Sequence, residues 1–228
     1  MSRNCPWNKC AFCSVYKRDR FSLRSADEVI AELPTLLRYH GADARSLFLQ
    51  DADPLITPVE DLLRILQAAR EHFPRLERCT TYARSRTLAK RPLADLKRLR
   101  EAGLDRVHVG LESGCDAVLD LIRKGTTRAE QIDAGQKAKA AGFELSVYFM
   151  PGLGGVALSD AHADDTASAL VAIQPDFVRL RTTSVIGRTP LAELVQAGRF
   201  EALGELAMVA EQGLDADGLF AQLRRRMV

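Results

Sequence analysis

Two rhythms of hydrophobic and polar positions divide the chain. Short apolar runs bounded by turn-forming residues mark buried strands, and longer stretches whose apolar side chains return every three or four residues mark helices. The strand-like runs are Ser46-Leu47-Phe48-Leu49-Gln50, Arg78 to Tyr82, Arg106 to Leu111, Glu144 to Met150 and Asp176 to Arg181. Helices are predicted around them. Ser25-Ala26-Asp27-Glu28 is a capping box opening a helix with Val29, Ile30, Leu33, Leu36 and Leu37 on one face, which Pro34 should kink or split. Thr57-Pro58-Val59-Glu60 is a second box, with Leu62, Leu63, Ile65 and Leu66 as the buried face. Pro92 opens a helix carrying Leu93, Leu96 and Leu99, and Gly103 stands where a left-handed cap belongs. A short helix to Ile122, a longer one from the box Thr127-Arg128-Ala129-Glu130 to Gly142, and one capped by Ser159 follow. Beyond Thr189 the pattern is helical, with breaks at Gly198, Gly204 and Gly213.

Strands alternating with helices predict right-handed βαβ units and an α/β fold with a parallel sheet, closed as a barrel or open and doubly wound. In either arrangement ligands gather at the carboxyl ends of the strands. The segments to examine are therefore Asp51-Ala52-Asp53-Pro54, Tyr82 to Ser85, Glu112-Ser113-Gly114 and Pro151-Gly152-Leu153-Gly154-Gly155.

Composition narrows the class. With 228 residues, 46% hydrophobic, the chain can bury one α/β core. A net charge of +2, from 32 basic against 30 acidic residues, gives no nucleic-acid signal and no membrane signal. No apolar run reaches the length of a membrane span and no signal-peptide h-region opens the chain, so a cytoplasmic location is the default expectation.

In a reducing compartment clustered thiols are metal ligands sooner than disulfides. Three of the five cysteines, Cys5, Cys10 and Cys13, stand within nine residues, in the spacing Cys-x4-Cys-x2-Cys with Phe12 before the third. Three thiolates on a four-iron cluster leave one iron open to bind a small molecule. Two alternatives stand beside this. A zinc site would need a fourth ligand, and none of His40, His72, His108 and His162 lies near the cysteines in sequence. An electron-carrying or redox-sensing cluster would need a fourth protein ligand too. Cys79 reads as a small core residue and Cys115 as a small residue at a helix start.

The cysteine loop resembles that of the radical SAM superfamily, whose usual spacing is one residue shorter in the first gap. Over roughly residues 3 to 195 the resemblance extends to Val109-Gly110-Leu111-Glu112-Ser113-Gly114-Cys115-Asp116 with Lys124-Gly125-Thr126-Thr127, similar to the Elp3-type and B12-associated branch. It implies a partial (βα)6-type TIM-like barrel, with a radical SAM core over residues 1–195 and a helical extension of the same domain over 196–228. It further implies a [4Fe–4S] cluster on Cys5, Cys10 and Cys13, and S-adenosylmethionine cleaved reductively to a 5′-deoxyadenosyl radical. An electron donor such as flavodoxin or ferredoxin is the implied partner. Asp51 or Asp53 would take the cofactor's amino group, although both glycines of the usual motif are absent here. Arg84 would take its carboxylate, and Glu112 and Ser113 its ribose or carboxylate. Gly152 would lie at the adenine. Arg179 and Arg181 share one face of the last strand; inside a barrel they would meet a carboxylate, a cofactor or an anionic substrate. His162 reads as a packing residue.

Only Met1 to Asn4 precede Cys5, too few for the strand that begins such a core. The first strand is expected to be missing, the second to carry an exposed edge, and the cysteine loop to lack one of its anchors.

Overall fold

The computed structural model describes residues 1–16, 20–204 and 207–208. In chain order its elements are β1 (Ser2–Arg3), β2 (Ser22–Leu23), α1 (Ala26–Ile30), α2 (Leu33–His40), β3 (Ser46–Leu49), a 3-10 turn (Pro54–Ile56), α3 (Val59–His72), β4 (Arg78–Ala83), α4 (Ser85–Lys90), α5 (Leu93–Glu101), β5 (Leu104–Glu112), α6 (Asp116–Leu121), α7 (Arg128–Ala140), β6 (Glu144–Phe149), α8 (Ser159–Ile173), β7 (Phe177–Leu180) and α9 (Pro190–Gln196). The expected Gly213 break lies outside the described residues, as do Lys17 to Asp19 and Arg224 to Arg226.

Five strands form one parallel sheet in the order β3-β4-β5-β6-β7, the sequential order of a partial barrel. Leu49 stands opposite Thr81, Thr81 opposite Val107, Val107 opposite Leu145, and Val147 opposite Val178. Because side chains alternate across a strand, one face collects Leu49, Cys79, Val107, Val109, Leu145 and Val147. These pack on Leu62, Ile65 and Leu66 of α3, Leu96 and Leu99 of α5, Ala134 and Ala138 of α7, and Leu170 and Ile173 of α8. Each large aliphatic side chain removed from water there contributes about 1.5–3 kcal/mol. The opposite positions carry Phe48, Tyr82, His108, Tyr148 and Arg179, an aromatic and cationic face on the inner side of the curved sheet.

Local signals hold at most boundaries. Ser25 and Thr127 both form complete capping boxes, and α1 and α2 divide just before Pro34. Gly103 and Gly142 adopt the left-handed conformation that ends α5 and α7. Two predicted caps are corrected. Pro58, not Thr57, stands at the N-cap of α3 with an extended backbone, and the buried Thr57 hydroxyl makes no hydrogen bond. Leu158 holds the corresponding position of α8, so Ser159 is its first residue.

β3 is one of the two edge strands of the described sheet, as expected, and a groove of about 470 Å³ runs beside it, lined by Leu36, Leu47, Phe48, Phe73 and Leu76. The N-terminal residues pair elsewhere. Ser2 and Arg3 run antiparallel to Leu23 and Ser22, and this two-stranded ribbon closes the base of the cysteine loop.

Candidate active site

Among the described residues no strand precedes β3 in the sheet, as expected, and the cysteine loop is held instead by contacts from distant segments. The Ala11 N–H donates to the Ile122 carbonyl at the end of α6 (2.7 Å), and its own carbonyl accepts from the Leu191 N–H in α9 (3.0 Å). Ala11 is buried with Cys115, Val118, Ile122, Met150, Leu153, Leu191 and Phe200 in a second apolar cluster. Trp7 donates from Nε1 to the Arg123 carbonyl (2.7 Å) and lies flat on Gly125, where a Cβ would overlap the indole. Gly125 has a φ of +73°, so both the backbone conformation and the ring call for glycine. Asn4 and Asn8 turn the loop in left-handed conformations. Asn4 Nδ2 donates to the Arg20 carbonyl and Asn8 Nδ2 to the Tyr16 carbonyl.

Within this frame the Asn8 N–H points at Cys5 Sγ (3.4 Å), and the Cys13 N–H donates to the Cys10 carbonyl (3.4 Å). Burial pushes the Cys10 thiol up, opposed by the positive charges of Lys124 and Arg84. Arg84 directly follows β4 and Lys124 pairs with Glu112 at the end of β5, so the loop lies near the carboxyl ends of both strands. Among the described residues no three His, Cys, Asp or Glu side chains converge on a single metal-ion position. A cubane offers each of three thiolates a separate corner, and Cys5, Cys10 and Cys13 on one loop supply that donor set.

The predicted strand-end residues divide by depth. Asp51, with a φ of +132°, lies beside the loop, accepts from Ser2 Oγ (3.2 Å) and is hydrogen-bonded to Tyr16. Burial, and then that carboxylate, push the Tyr16 phenol up to about 12. Asp53 is fully buried. It accepts from the Arg84 N–H (3.1 Å) and from Thr87 Oγ1 (2.6 Å), and burial, against those donors, lifts its carboxyl to about 6. Its oxygens thus organise the turn after β4. The Arg84 guanidinium lies 5.4 Å from the Trp7 ring centroid, at the rim of the cysteine loop.

Glu112 ends β5 in the left-handed conformation (φ +64°), where the pairing of β5 with β6 slips between Gly110 and Glu112. A glutamate held there is strained, a feature that concentrates at functional sites. Its carboxylate folds back over Gly110, whose missing Cβ leaves the room, and pairs with Lys124 Nζ at 3.0 Å with both side chains mostly buried.

Ser113, one residue on, turns the other way. It is fully buried, and a carbonyl explains its hydrogen bonding. His162 Nε2 faces the Met150 carbonyl (3.0 Å), which only accepts, so Nε2 carries the proton and Nδ1 receives the Ser113 hydroxyl (2.8 Å). The same oxygen accepts the Cys115 N–H (3.0 Å). Ser113 therefore fixes the backbone under Glu112, and His162 is the residue that orients it. Sequence reasoning read His162 as packing, 49 residues from its partner, and did not single out Lys124 or Trp7 as site residues.

Gly152 and Gly155 adopt positive φ in the turn after β6, with the Gly155 N–H donating to the Gly152 carbonyl (3.1 Å). A Cβ on Gly152 would meet Met208 Sδ at 2.8 Å. Arg181, just past β7, holds the Phe149 carbonyl through its N–H (2.9 Å), and its exposed side chain acts electrostatically on Tyr82, on the inner face. Cys79 lies in the core, where burial pushes its thiol up to about 12, and Cys115 is a buried residue at the N-cap of α6.

The same architecture recurs in solved structures. The cobalamin-dependent S-adenosylmethionine radical enzyme OxsB superposes with a TM-score of 0.69 at 18% identity, covering 86% of this chain and 34% of that one. Coproporphyrinogen III oxidase of Escherichia coli superposes with the same score at 15% identity, covering 94% and 50%. In sequence, the anaerobic magnesium-protoporphyrin IX monomethyl ester cyclase of Cereibacter sphaeroides is 30% identical over 155 residues, 67% of this chain and 24% of that protein. An uncharacterized methyltransferase of Pyrococcus horikoshii is 31% identical over 155 residues, 66% and 32% respectively. The chain thus spans about a quarter to a third of the length of these curated relatives. Residues 1–166 match the family model of the radical SAM superfamily, and with a three-thiol loop seated over the strand ends of a partial parallel barrel, the chain belongs to that superfamily of enzymes.

Proposed function

We propose that this chain binds a [4Fe–4S] cluster through Cys5, Cys10 and Cys13 and uses it to act on S-adenosylmethionine. The observation that carries the reading is the convergence at Cys10 of the cysteine loop, Arg84 after β4, and Lys124 after α6, which is paired with Glu112 at the end of β5. When bound and reduced by a flavodoxin- or ferredoxin-type donor, the cluster supplies the single electron that splits S-adenosylmethionine into methionine and a 5′-deoxyadenosyl radical.

The chain's own residues hold and orient. Asp51, next to the cysteines, is the acceptor for the cofactor's ammonium, while the deeper Asp53 keeps Arg84 in place through the Arg84 N–H. Arg84 offers a guanidinium to the methionyl carboxylate. Glu112 takes the ribose hydroxyls, positioned by Lys124 and by the Ser113–His162 pair beneath it. The Gly152 turn brings backbone close to the adenine, and Arg181 marks the side from which substrate approaches.

Anaerobic reconstitution followed by EPR tests this. The expected result is a reduced four-iron signal whose g values move when S-adenosylmethionine is added, and its abolition in Cys13→Ala. A protein that takes up no iron, or a signal indifferent to S-adenosylmethionine, refutes the reading.

A further inference from the structure

The inner face of the sheet carries chemistry that cofactor binding does not use. The rings of Phe48 and Tyr82 stand 4.9 Å apart, Phe48 and His108 stack at 5.7 Å with planes 11° apart, and Tyr148 reaches both His108 (6.0 Å) and Tyr82 (6.5 Å). They form a continuous aromatic shelf across β3, β4, β5 and β6. Phe48 remains 38% exposed, so the shelf has an open side. His108 is buried within it, and its Nδ1 makes no hydrogen bond.

Charge on this face is mostly positive, with Glu144 the carboxylate that pairs with Arg106. Arg106 also lies over the Phe177 ring. Arg179 spends Nε on the Ser146 hydroxyl (2.9 Å), and Arg181, two residues on and just past the end of β7, lies close enough to Tyr82 to act on it electrostatically. Among the described residues no carboxylate pairs with Arg179 or Arg181. Two guanidinium groups beside an apolar shelf, with nothing of opposite sign between them, complement an anion attached to a flat apolar body.

We propose that this face is the substrate shelf and that the substrate is an anionic molecule with a planar, unsaturated body. The rings of Phe48, Tyr82, His108 and Tyr148 carry the body, and Arg179 and Arg181 bind its carboxylate or phosphate. The assignment as substrate, rather than as a bystander ligand, rests on the cofactor reading above, because the shelf begins directly below the strand ends that would hold S-adenosylmethionine. Arginine rather than lysine suits the role, since a planar guanidinium can both stack and donate two parallel hydrogen bonds.

The test needs neither cluster nor cofactor. The full chain is titrated by NMR with 2-naphthoate, 2-naphthyl phosphate, neutral 2-naphthamide and saturated cyclohexanecarboxylate, probes whose size implies about millimolar affinity at best. At least one naphthyl anion should bind tenfold or more tighter than naphthamide, and the tighter of the two names the anionic group. Arg181→Gln, which removes no side-chain hydrogen bond, should erase most of that advantage, and Arg179→Gln the remainder. Tyr148→Leu should weaken naphthoate while leaving cyclohexanecarboxylate unchanged. Equal binding of naphthamide and both anions, or an anion advantage that survives in the Arg179→Gln/Arg181→Gln pair, overturns the proposal. Circular dichroism verifies that each variant is folded; if Arg179→Gln is not, Arg181→Gln alone decides. Failure of cluster assembly would leave this titration standing, and failure of the titration would leave the EPR result standing.

Discussion

Asp53 and His108 are both buried titratable side chains, and they respond to pH with opposite signs. Burial lifts the Asp53 carboxyl from 3.8 to about 6, so between those values the folded protein holds a proton that the unfolded chain has released. Stability from this group therefore falls as pH rises through that window. Burial, helped by Arg179 and Arg106, lowers His108 from 6.5 to about 4, so there the unfolded chain binds the extra proton and stability rises with pH. The two slopes oppose each other in the wild-type protein. Asp53→Asn should uncover a urea midpoint that climbs from about pH 4 to 6.5, and His108→Phe one that declines from about pH 4 to 6. Flat midpoints in both variants would contradict these environments. Neither behaviour is visible in the sequence, where Asp53 reads as a candidate ligand and His108 as one strand residue among several.

β5 and the turn that follows it use two glycines for different ends, Gly110 in the strand for chemistry and Gly114 in the turn for packing. At Gly114 a Cβ would stand 2.5 Å from the Asp165 carbonyl oxygen and 2.7 Å from Thr166 Cα, both α8 backbone atoms that move only with the whole helix. At Gly110 the obstacle is the tip of the Glu112 side chain, which can swing aside. Gly114→Ala is therefore expected to cost about 1–3 kcal/mol in urea unfolding. Gly110→Ala should unfold at nearly the wild-type midpoint yet weaken S-adenosylmethionine binding, measured by calorimetry, because the Glu112 carboxylate is displaced from Lys124. The reverse ranking would show that the bulge at Gly110 is structural. The Glu-Ser-Gly segment could be located from sequence because its residues are contiguous. That its glutamate faces the site while its serine faces His162 depends on a left-handed residue and a slipped register, which no local pattern encodes.

Across the molecule, the cysteine loop and α9 are remote in sequence and adjacent in space. Leu191 is fully buried among Ala11, Ile122, Met150 and Phe200, and its N–H closes on the Ala11 carbonyl (3.0 Å). Leu191→Ala should destabilise the protein by about 2–5 kcal/mol and, by hydrogen exchange, loosen residues 5–13. Leu180→Ala, at a site 54% exposed, should stay within about 0.5 kcal/mol. If both variants behave alike, α9 is not the clamp described here. Among the described residues no helix is long and apolar enough to cross a membrane.

Local patterns along the chain were enough for the alternation of strands and helices, the parallel sheet, most caps, the three clustered thiols and the positions of the strand ends. Those properties follow from short-range periodicity, from capping chemistry and from the rule that parallel sheets present their carboxyl ends to ligands. Tertiary structure alone decided which of those ends face the cysteines. It buried Asp53 and Ser113, left Asp51 and Glu112 beside the loop, and brought Lys124, His162 and Trp7 to them from distant segments. It also supplied the cysteine loop with anchors from α6 and α9 that chain order conceals. The physical reason is that contacts between residues far apart in sequence are set by how layers pack and registers align, and a single chain read in order carries no direct record of either.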